Sequence, residues 1–391
     1  MNCRLKASLA FLIFIVSNAT FSVEKPSVFD LKALEQPRIS KKLMQVMTLE
    51  PETITANIAS RSSGGLNDFY SEGDYWWPDP QNPEGAYIRR DGETNPENFV
   101  AHRLSMIRLS NIIATLASGY VLEPKKVYVE HARKHLNAWF VNPQTKMHPS
   151  LKYGQAIKGK VEGRSIGLID TLHLVEVARG AKILMQSTDF PVPEQQAIKA
   201  WFSEYLNWMN THPFGQTERD HPNNHGVCWS LQAATFADLV GNNKQKQWVS
   251  KRFKDVYIKE MMDKQGGFPA ELARTKPYGY SLFVLDAMAT IAQLISENGD
   301  DLWHYQTDDG RGMALAMQFI YPYVKDKSSW PLAPDILYWE EWPVRHPSLI
   351  FASQQLQKAQ YADIWQTLEA DPTTYEVLRN LPVRHPLLWM K

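Results

Sequence analysis

The residues best suited to chemistry lie in a short polar turn, Asn223-Asn224-His225-Gly226. Residues 227–239 follow with helical periodicity, which predicts that the turn forms a helix N-terminus. Free backbone N–H groups and the positive end of the helix dipole favour anions there. An amide and a neutral imidazole at that position can hold a ligand carboxylate. The structural alternative is that Asn224 caps the helix and His225 is an ordinary surface or core histidine.

A second polar group lies in residues 266–282, where Arg274 precedes Tyr280 by six positions. A guanidinium beside a tyrosine hydroxyl favours the phenolate, which lowers the tyrosine pKa and makes it a usable base. Pro277 prevents a helix from continuing through this segment. A purely structural role is also possible: Tyr280 packs at the start of an apolar helix, and Arg274 pairs with Glu271 at the surface.

Residues 60–98 form a third candidate region, rich in Gly, Pro, Asp and Asn. Its aromatic residues are too numerous for a disordered linker; they are Tyr70, Tyr75, Trp76, Trp77 and Tyr87. Ordered loops of this length are usually functional. We therefore predict a lid or cleft wall, in which Trp76, Trp77 and Tyr87 either stack on sugar rings or anchor the loop.

Amphipathic helices fill most of the remaining chain and must position these groups. The predicted helices cover residues 102–118, 125–140, 166–186, 194–211, 226–240, 244–262, 280–298, 312–324 and 346–368. No run alternates over enough residues to predict a strand. Helices of similar length joined by short and long connections favour an all-α fold of stacked hairpins. Arranged in a ring, these form an (α/α) toroid, an incomplete barrel with a central cleft lined by loops.

The first 22 residues have the pattern of a secretory signal peptide. Arg4 and Lys6 precede an apolar core at residues 9–16, and small residues follow it. Cys3 lies before the apolar core, which argues against a lipid anchor, and no later stretch predicts a membrane anchor. We expect a periplasmic or secreted protein in which residues 23–391 form a single toroid domain.

Charge and cysteine content exclude other classes. The chain carries 42 basic and 42 acidic residues, so nothing draws it globally to nucleic acid. Cys228 is the only cysteine after the predicted signal peptide, which excludes an intramolecular disulfide in the mature chain. Stability must then come from a packed core.

Taken together, these segments resemble the alginate lyase superfamily. Asn224 and His225 at a helix start, with Arg274 and Tyr280 further along, are similar to its catalytic signature. Residues 74–99 and 163–184 most resemble the family 38 polysaccharide lyases. The resemblance implies β-elimination on an anionic polysaccharide, a polyuronate such as alginate or glucuronan.

The resemblance also implies roles for the residues. Asn224 and His225 would contact the uronate carboxylate and stabilise charge that develops in the transition state. Tyr280 would take the C5 proton and return one to the departing O4, with Arg274 holding it in a reactive state. For the C5 epimer, His225 would be the base and Tyr280 the acid. Neither a metal nor another cofactor is required.

The candidate substrate-binding residues are Trp76, Trp77, Tyr87, Arg89, Arg90, Arg164, His173 and Tyr278. Arg89 and Arg90 either bind substrate carboxylates or pair with Asp91 and Glu93. Arg164 and His173 are included through family similarity alone. His221 and His225 have the spacing of a helical metal pair, but Pro222 interrupts it and no third ligand is evident.

Two rival functions remain open. A glycoside hydrolase on the same toroid would use two carboxylates, drawn from Asp220, Glu271 and Asp170. A non-catalytic glycan-binding protein would keep the aromatic cleft without turnover. Cys228 lies one turn from His225, yet a Cys-His nucleophile pair would need oxyanion donors that the sequence does not show.

Overall fold

The computed structural model describes residues 29–297 and 299–390. The predicted signal peptide, residues 1–22, lies outside the described residues. The first α-helices are α1 (Leu31–Val46), α2 (Ala101–Leu122), α3 (Lys126–Phe140), α4 (Leu174–Leu184), α5 (Val192–Thr211), α6 (Pro213–Arg219) and α7 (Asn224–Val240). The later ones are α8 (Asn243–Arg252), α9 (Pro269–Leu272), α10 (Pro277–Ile295), α11 (Met313–Lys325), α12 (Pro347–Gln355), α13 (Ala359–Thr367) and α14 (Tyr375–Arg379).

Shorter elements connect these helices. A π-helical segment, Phe253–Met261, continues α8, and 3₁₀ turns cover Ile54–Ala56, Ser165–Thr171, Lys327–Ser329 and Pro386–Trp389. Four short strands are β1 (Tyr70–Glu72), β2 (Trp76–Trp77), β3 (Ile88–Arg89) and β4 (Tyr153–Ala156). β1 pairs in parallel with β4, and β2 pairs antiparallel with β3 so that Trp76 lies opposite Arg89.

The helices form two concentric layers. In the inner layer α2, α4, α7, α10 and α12 follow one another around the ring, each packing on the next. The outer layer places α1 and α3 against α2, α5 and α8 against α7, and α13 against α12. Every residue of α10 is buried, as expected for an inner helix that is apolar on all sides. The arrangement is an open (α/α) toroid, which confirms the predicted fold class.

Two described helices, α2 and α10, are long and apolar enough to cross a membrane by length and composition alone. However, 72% and 100% of their most apolar windows are buried inside the protein. That burial is typical of core helices in a large domain.

Helix boundaries differ from prediction where short-range signals compete. The predicted helix 166–186 begins as the 3₁₀ turn Ser165–Thr171 and becomes α-helical only at Leu174–Leu184. The predicted helix 346–368 is divided into α12 and α13. α10 begins at Pro277, because proline fits the first turn of a helix, where its missing N–H has no partner to lose.

The absence of strands was a wrong prediction. β1 to β4 have two to four residues each, too few for an alternating pattern to be visible in the sequence. β1, β2 and β3 lie within the loop region 60–98 and give it a fixed shape. Helices α6, α9 and α14 were missed for the same reason of length.

Candidate active site

A cavity of about 240 Å³ lies where the N-terminal ends of α7 and α10 meet the loop region 60–98. All four predicted catalytic residues line it: Asn224, His225, Arg274 and Tyr280. Of the predicted substrate-binding residues, Trp76, Arg89 and Arg164 line it as well. The positive ends of two long helices therefore face one small space, which favours an anionic ligand.

Asn224 and His225 are each held by a buried glutamate. The backbone N–H and Nδ2 of Asn224 donate to the two carboxylate oxygens of Glu271, at 2.6 and 2.7 Å. His225 Nδ1 lies 2.5 Å from Glu218 Oε1. Glu218 comes from α6 and Glu271 from α9, so two short helices orient the first residues of α7. Burial raises the pKa of Glu271, and the Asn224 hydrogen bonds oppose that effect.

The helix cap is one residue earlier than predicted. Asn223 is the N-cap, and its side-chain oxygen accepts the His225 N–H at 3.1 Å. Its carbonyl oxygen accepts the Gly226 N–H at 3.1 Å, and the Asn224 N–H is engaged by Glu271. These three backbone donors are therefore occupied, so the predicted anion binding by free backbone N–H groups is wrong. The side chains of Asn224 and His225 remain as ligands.

The tautomer of His225 follows from its partner. An ionised carboxylate only accepts hydrogen bonds, so the proton on the Glu218 side belongs to Nδ1 of His225. In the neutral imidazole Nε2 then carries a free lone pair and can act as a base. It becomes a donor only in the imidazolium form.

Tyr280 lines the cavity from the first turn of α10, in a cluster of hydroxyls and cations. Its hydroxyl is 2.7 Å from the hydroxyl of Tyr75, which also accepts from Arg379 Nη2 at 2.9 Å. Arg274 Nη2 donates to the Tyr280 hydroxyl at 3.4 Å, and its guanidinium carbon lies 4.5 Å from the ring centroid. A Tyr280 phenolate would accept from both Tyr75 and Arg274.

The net pKa of Tyr280 differs from prediction. Burial raises the pKa of Tyr280 well above its usual value, and the nearby cations Lys276 and Arg274 offset only part of that rise. The predicted lowering by Arg274 has the right direction for that contact, but the predicted net effect is wrong. Desolvation of the phenolate outweighs the attraction of the cations.

Arg274 does not pair with Glu271, so the surface ion pair considered for it is wrong. Its guanidinium bonds both carboxylate oxygens of Asp91, at 3.0 and 3.2 Å. Asp91 also accepts from Arg89 Nη2 at 2.5 Å, which is the predicted ion pair. Arg89 lines the cavity as well. Asp91 thereby ties the loop region 60–98 to the segment before α10, which makes this region a wall of the cavity.

Asp74 is the only carboxylate lining the cavity among the described residues. It pairs with Arg103 at 2.8 Å and with Arg379 at 2.6 Å. Burial raises the pKa of Asp74, but the two guanidinium groups more than offset this and bring it to about 2. A carboxylate that stays ionised and is paired with two guanidinium groups is unsuited to be the acid or the nucleophile of a glycosidase.

Comparison with known proteins decides the family. The alginate lyase family model matches residues 53–330, which is most of the chain. The chain belongs to the alginate lyase family. As a member of it, the protein is a polysaccharide lyase, and the predicted resemblance to the superfamily is confirmed.

Solved structures agree with the fold of this alginate lyase family member. An alginate lyase from Bacteroides ovatus shares 29% sequence identity with a TM-score of 0.79, over 90% of this chain and 93% of that chain. Alginate lyase A1-III complexed with a tetrasaccharide shares 15% identity with a TM-score of 0.58, over 90% and 94% of the two chains. A1-III from Sphingomonas species A1 gives a TM-score of 0.54 at 15% identity, over the same shares of the two chains. No curated protein matches the chain.

Two predicted substrate-binding residues of this family member are placed away from the cavity. Tyr278 is fully buried, donates to the Tyr323 carbonyl at 3.1 Å and packs against Trp330 and Trp339. His173 is also buried, and burial lowers its pKa well below the usual value. Neither can touch a substrate in the cavity, so both predictions are corrected. Trp77, Tyr87 and Arg90 lie in the cavity wall region but outside the lining.

The carboxylates considered for a rival hydrolase are also engaged elsewhere. Asp170 bonds Arg103 at 2.8 Å, and Glu271 bonds Asn224. Asp220 is half exposed and pairs with Arg219 at 2.7 Å. In the described part of the chain, no two carboxylates face each other across the cavity of the alginate lyase family member.

His221 and Cys228 were candidates for metal and thiol chemistry. The His221 and His225 ring centroids lie 5.2 Å apart, and the described residues contain no group of three His, Cys, Asp or Glu suited to a metal. Cys228 is buried, and burial raises the pKa of its thiol well above the usual value. A buried thiol of that kind is a poor nucleophile.

Sequence reasoning missed the residues that support the four catalytic candidates. Glu218 precedes His225 by seven positions in the same polar stretch, so proximity was an available signal. Tyr75 stands out in the sequence only as one of the loop aromatics. Arg379 and Glu271 left no local signal for these contacts, because each reaches its partner from a separate helix.

Proposed function

We propose that this protein cleaves a polyuronate, of the alginate or glucuronan type, by β-elimination in the cavity between α7 and α10. The observation that carries the proposal is that Asn224, His225 and Tyr280 line one small space together. The first two form the start of a helix and can contact an anion. The third is a proton-transfer group set among cations.

The chemistry requires both sides of this arrangement. The C5 proton of a uronate is weakly acidic because its removal adds negative charge beside a carboxylate. Asn224 Nδ2 and an imidazolium form of His225 would neutralise that charge as the enolate develops. Two helix N-termini reinforce the effect with their dipoles.

Tyr280 would transfer the C5 proton when that proton and the departing O4 lie on the same side of the sugar. Its phenolate takes the C5 proton, the electron pair forms the C4=C5 bond, and the C4–O4 bond breaks. The Tyr280 hydroxyl returns the proton to O4, so the enzyme ends in its starting state. Tyr75 and Arg274 would stabilise the phenolate by donating to its oxygen.

For the C5 epimer, His225 Nε2 would take the proton and Tyr280 would protonate O4. Because Nδ1 of His225 bonds Glu218, this route needs a neutral imidazole and a protonated tyrosine. The first route needs an imidazolium and a phenolate. The two routes therefore differ in the position of one proton, which lies on Tyr280 in the His225 route and on His225 in the Tyr280 route.

The substrate is proposed to be an anionic oligosaccharide stretch of a longer polymer. Alginate lyase A1-III has been solved with a bound tetrasaccharide, and the shared fold makes a comparable mode of binding reasonable here. Residues 74–99 and 163–184 contribute Trp76, Arg89 and Arg164 to the cavity. We also propose membership of polysaccharide lyase family 38, and export through the signal peptide predicted at residues 1–22.

Ultraviolet absorbance of the unsaturated product tests this function directly. Purified protein is incubated with polymannuronate, polyguluronate and glucuronan, and absorbance of the C4=C5 bond is followed with time. We expect a rise on at least one polymer. Product without a double bond but with added water would identify a hydrolase, and binding without product would identify a glycan-binding protein.

A further inference from the structure

Four cations lie beside the cavity on aromatic rings of the loop region. We refer to Arg90, Lys158, Lys160 and Arg164 as the cation strip. Arg90 Cζ lies 5.1 Å from the Trp77 ring centroid, Lys158 Nζ 5.5 Å from Tyr87, Lys160 Nζ 5.2 Å from Trp76, and Arg164 Cζ 5.7 Å from Trp76. Each distance is within the range of a cation–π contact.

None of these four cations forms an ion pair with a carboxylate of the described residues. Their neighbours Arg89 and Arg274 differ, because both pair with Asp91 at 2.5 and 3.0 Å. Arg164 donates only to neutral oxygens of Gln155, at 2.9 and 3.0 Å. An aromatic ring holds a cation in place without neutralising its charge, so the strip keeps its full attraction for an anion.

The strip is built into the fold. Gly159 has φ +76°, and a Cβ there would lie 2.7 Å from the Ala86 Cα, so only glycine lets this turn pack closely against the loop. The Tyr87 N–H donates to the Lys158 carbonyl at 3.0 Å. These contacts fix the backbone that carries Lys158 and Lys160 against the loop that carries the rings.

The strip also leads out of the cavity. Arg164 and Trp76 line the cavity itself, and Lys160 contacts Trp76 from the neighbouring turn. Lys158 and Lys160 line a second groove of about 510 Å³. Its other charged residues are Glu162 and the ion pair of Arg61 with Glu72. Both lysines are exposed, so an anion in that groove can reach them.

We propose that the cation strip binds the carboxylates of uronate units beyond the cleaved linkage, with Lys158 and Lys160 as its outer contacts. The proposal rests on the proposed function and adds to it the path taken by the polymer. It also revises the role of the rings. A ring face occupied by a cation is not open to a sugar, so in this proposal the occupied faces of Trp76, Trp77 and Tyr87 hold cations in position for carboxylates.

The test compares a double variant, Lys158→Met with Lys160→Met, with the wild type on a long polyuronate and on its short oligosaccharides. Methionine keeps most of the side-chain length and removes the charge. We expect KM on the polymer to rise about 5- to 30-fold, because two exposed charge contacts are lost. The rise should be smaller on short oligosaccharides and should appear in KM more than in kcat.

A matched control removes two lysines from outer helices, Lys134→Met on α3 and Lys199→Met on α5. It carries the same loss of charge and should leave both kinetic constants unchanged. Added salt should raise KM for the wild type and for the control, and much less for the Lys158/Lys160 variant. Replacing both lysines by arginine should restore tight binding.

Binding in a Tyr280→Phe background separates failure of the strip from failure of the proposed function. Retardation in gels that contain intact polyuronate is measured there, with gels that contain neutral dextran for comparison. The proposal is overturned if the Lys158/Lys160 variant is retarded as strongly as its parent, or if Tyr87→Leu weakens binding more than the loss of both lysines. If retardation depends on the two lysines but the wild type shows no turnover, the cation strip still binds polyuronate and the proposed lyase function is rejected.

Discussion

The two walls of the cavity hold their functional residues by opposite means. On the α7 wall, the buried Glu271 and Glu218 form hydrogen bonds with Asn224 and His225. On the α10 wall, cations and a second hydroxyl surround Tyr280, with Arg274 at 3.4 Å and Tyr75 at 2.7 Å from its oxygen. In the proposed mechanism, negative partners lie behind the two groups that meet the substrate carboxylate, and positive partners lie beside the tyrosine that ionises.

This difference shows how one cavity can serve both ends of an elimination. A glutamate that accepts from Nδ1 of an imidazole fixes the tautomer of the ring, whereas a guanidinium beside a phenol favours the phenolate. In the proposed same-side elimination, His225 would donate to the substrate carboxylate and Tyr280 would give up its proton before taking the one at C5. Burial raises the pKa of Tyr280 despite these cations, so ionisation of Tyr280 is the demanding step of the phenolate route.

The largest expected effect comes from removing Tyr280, the proposed proton-transfer group of the α10 wall. Tyr280→Phe should lower kcat about 10²- to 10⁴-fold, as for loss of a general acid–base, with polymer binding largely kept. Initial rates of absorbance increase and binding by calorimetry measure the two effects. Tyr128→Phe on α3 is the control and should not change the rate. A Tyr280→Phe enzyme with wild-type kcat would remove Tyr280 from the mechanism.

The support for the phenolate gives the next effect. Tyr75→Phe keeps the ring but removes one of the two donors to the Tyr280 oxygen. Because a hydrogen bond to a charged group is worth about 1.5–3 kcal/mol, we expect kcat to fall about 10- to 100-fold. Single-turnover absorbance measurements isolate this step from binding. An unchanged rate would show that Arg274 alone supports the phenolate.

The corresponding change on the α7 wall should be smaller. Glu218→Gln keeps an acceptor oxygen for His225 Nδ1 and removes only the charge, so we expect kcat to fall about 10-fold. Glu204→Gln, at an exposed position of α5, is the matched control. Nitrogen NMR of labelled histidine should still show the proton on Nδ1. If Nδ1 loses its proton in this variant, the loss of rate comes from a changed tautomer and the comparison of walls by charge is wrong.

The smallest effect concerns stability in acid. The folded-state pKa of Asp74 is about 2, below the ordinary value of 3.8, so its contribution is complete above pH 3.8 and is lost as the pH falls towards 2. This contribution is about 2 kcal/mol. Glu271 has the opposite sign, because its folded pKa is raised and acidification through its ordinary value of 4.5 favours the folded state.

Urea unfolding between pH 2 and 7 measures this difference in sign. The free energy of unfolding of the wild type should exceed that of Asp74→Asn most at neutral pH, and the gap should shrink in acid. The gap between the wild type and Glu271→Gln should instead widen as the pH falls. Parallel pH curves for the two variants would contradict the assigned partners of these carboxylates.

Helical periodicity was enough to predict the all-α toroid, because inner helices such as α10 keep apolar residues over many turns. Short elements contain too few residues to show any periodicity, so the sequence did not predict them. β2 and β3 have two residues each, and their pairing depends on contacts between Trp76 and Arg89 that no local pattern records. The cap at Asn223 was misplaced by one residue, since either asparagine in the turn has a suitable side chain.

The sequence by itself determined the residue types of the site and the order in which they occur: an Asn-His pair at a helix start, then an arginine six positions before a tyrosine. Tertiary structure alone decided their partners. Glu218, Glu271 and Arg379 come from separate helices and Tyr75 from the loop region 60–98. They meet these residues only because the elements converge on one cavity. Burial of Tyr280 raises its pKa, whereas the nearby cations lower it. The balance depends on all the residues packed around the hydroxyl.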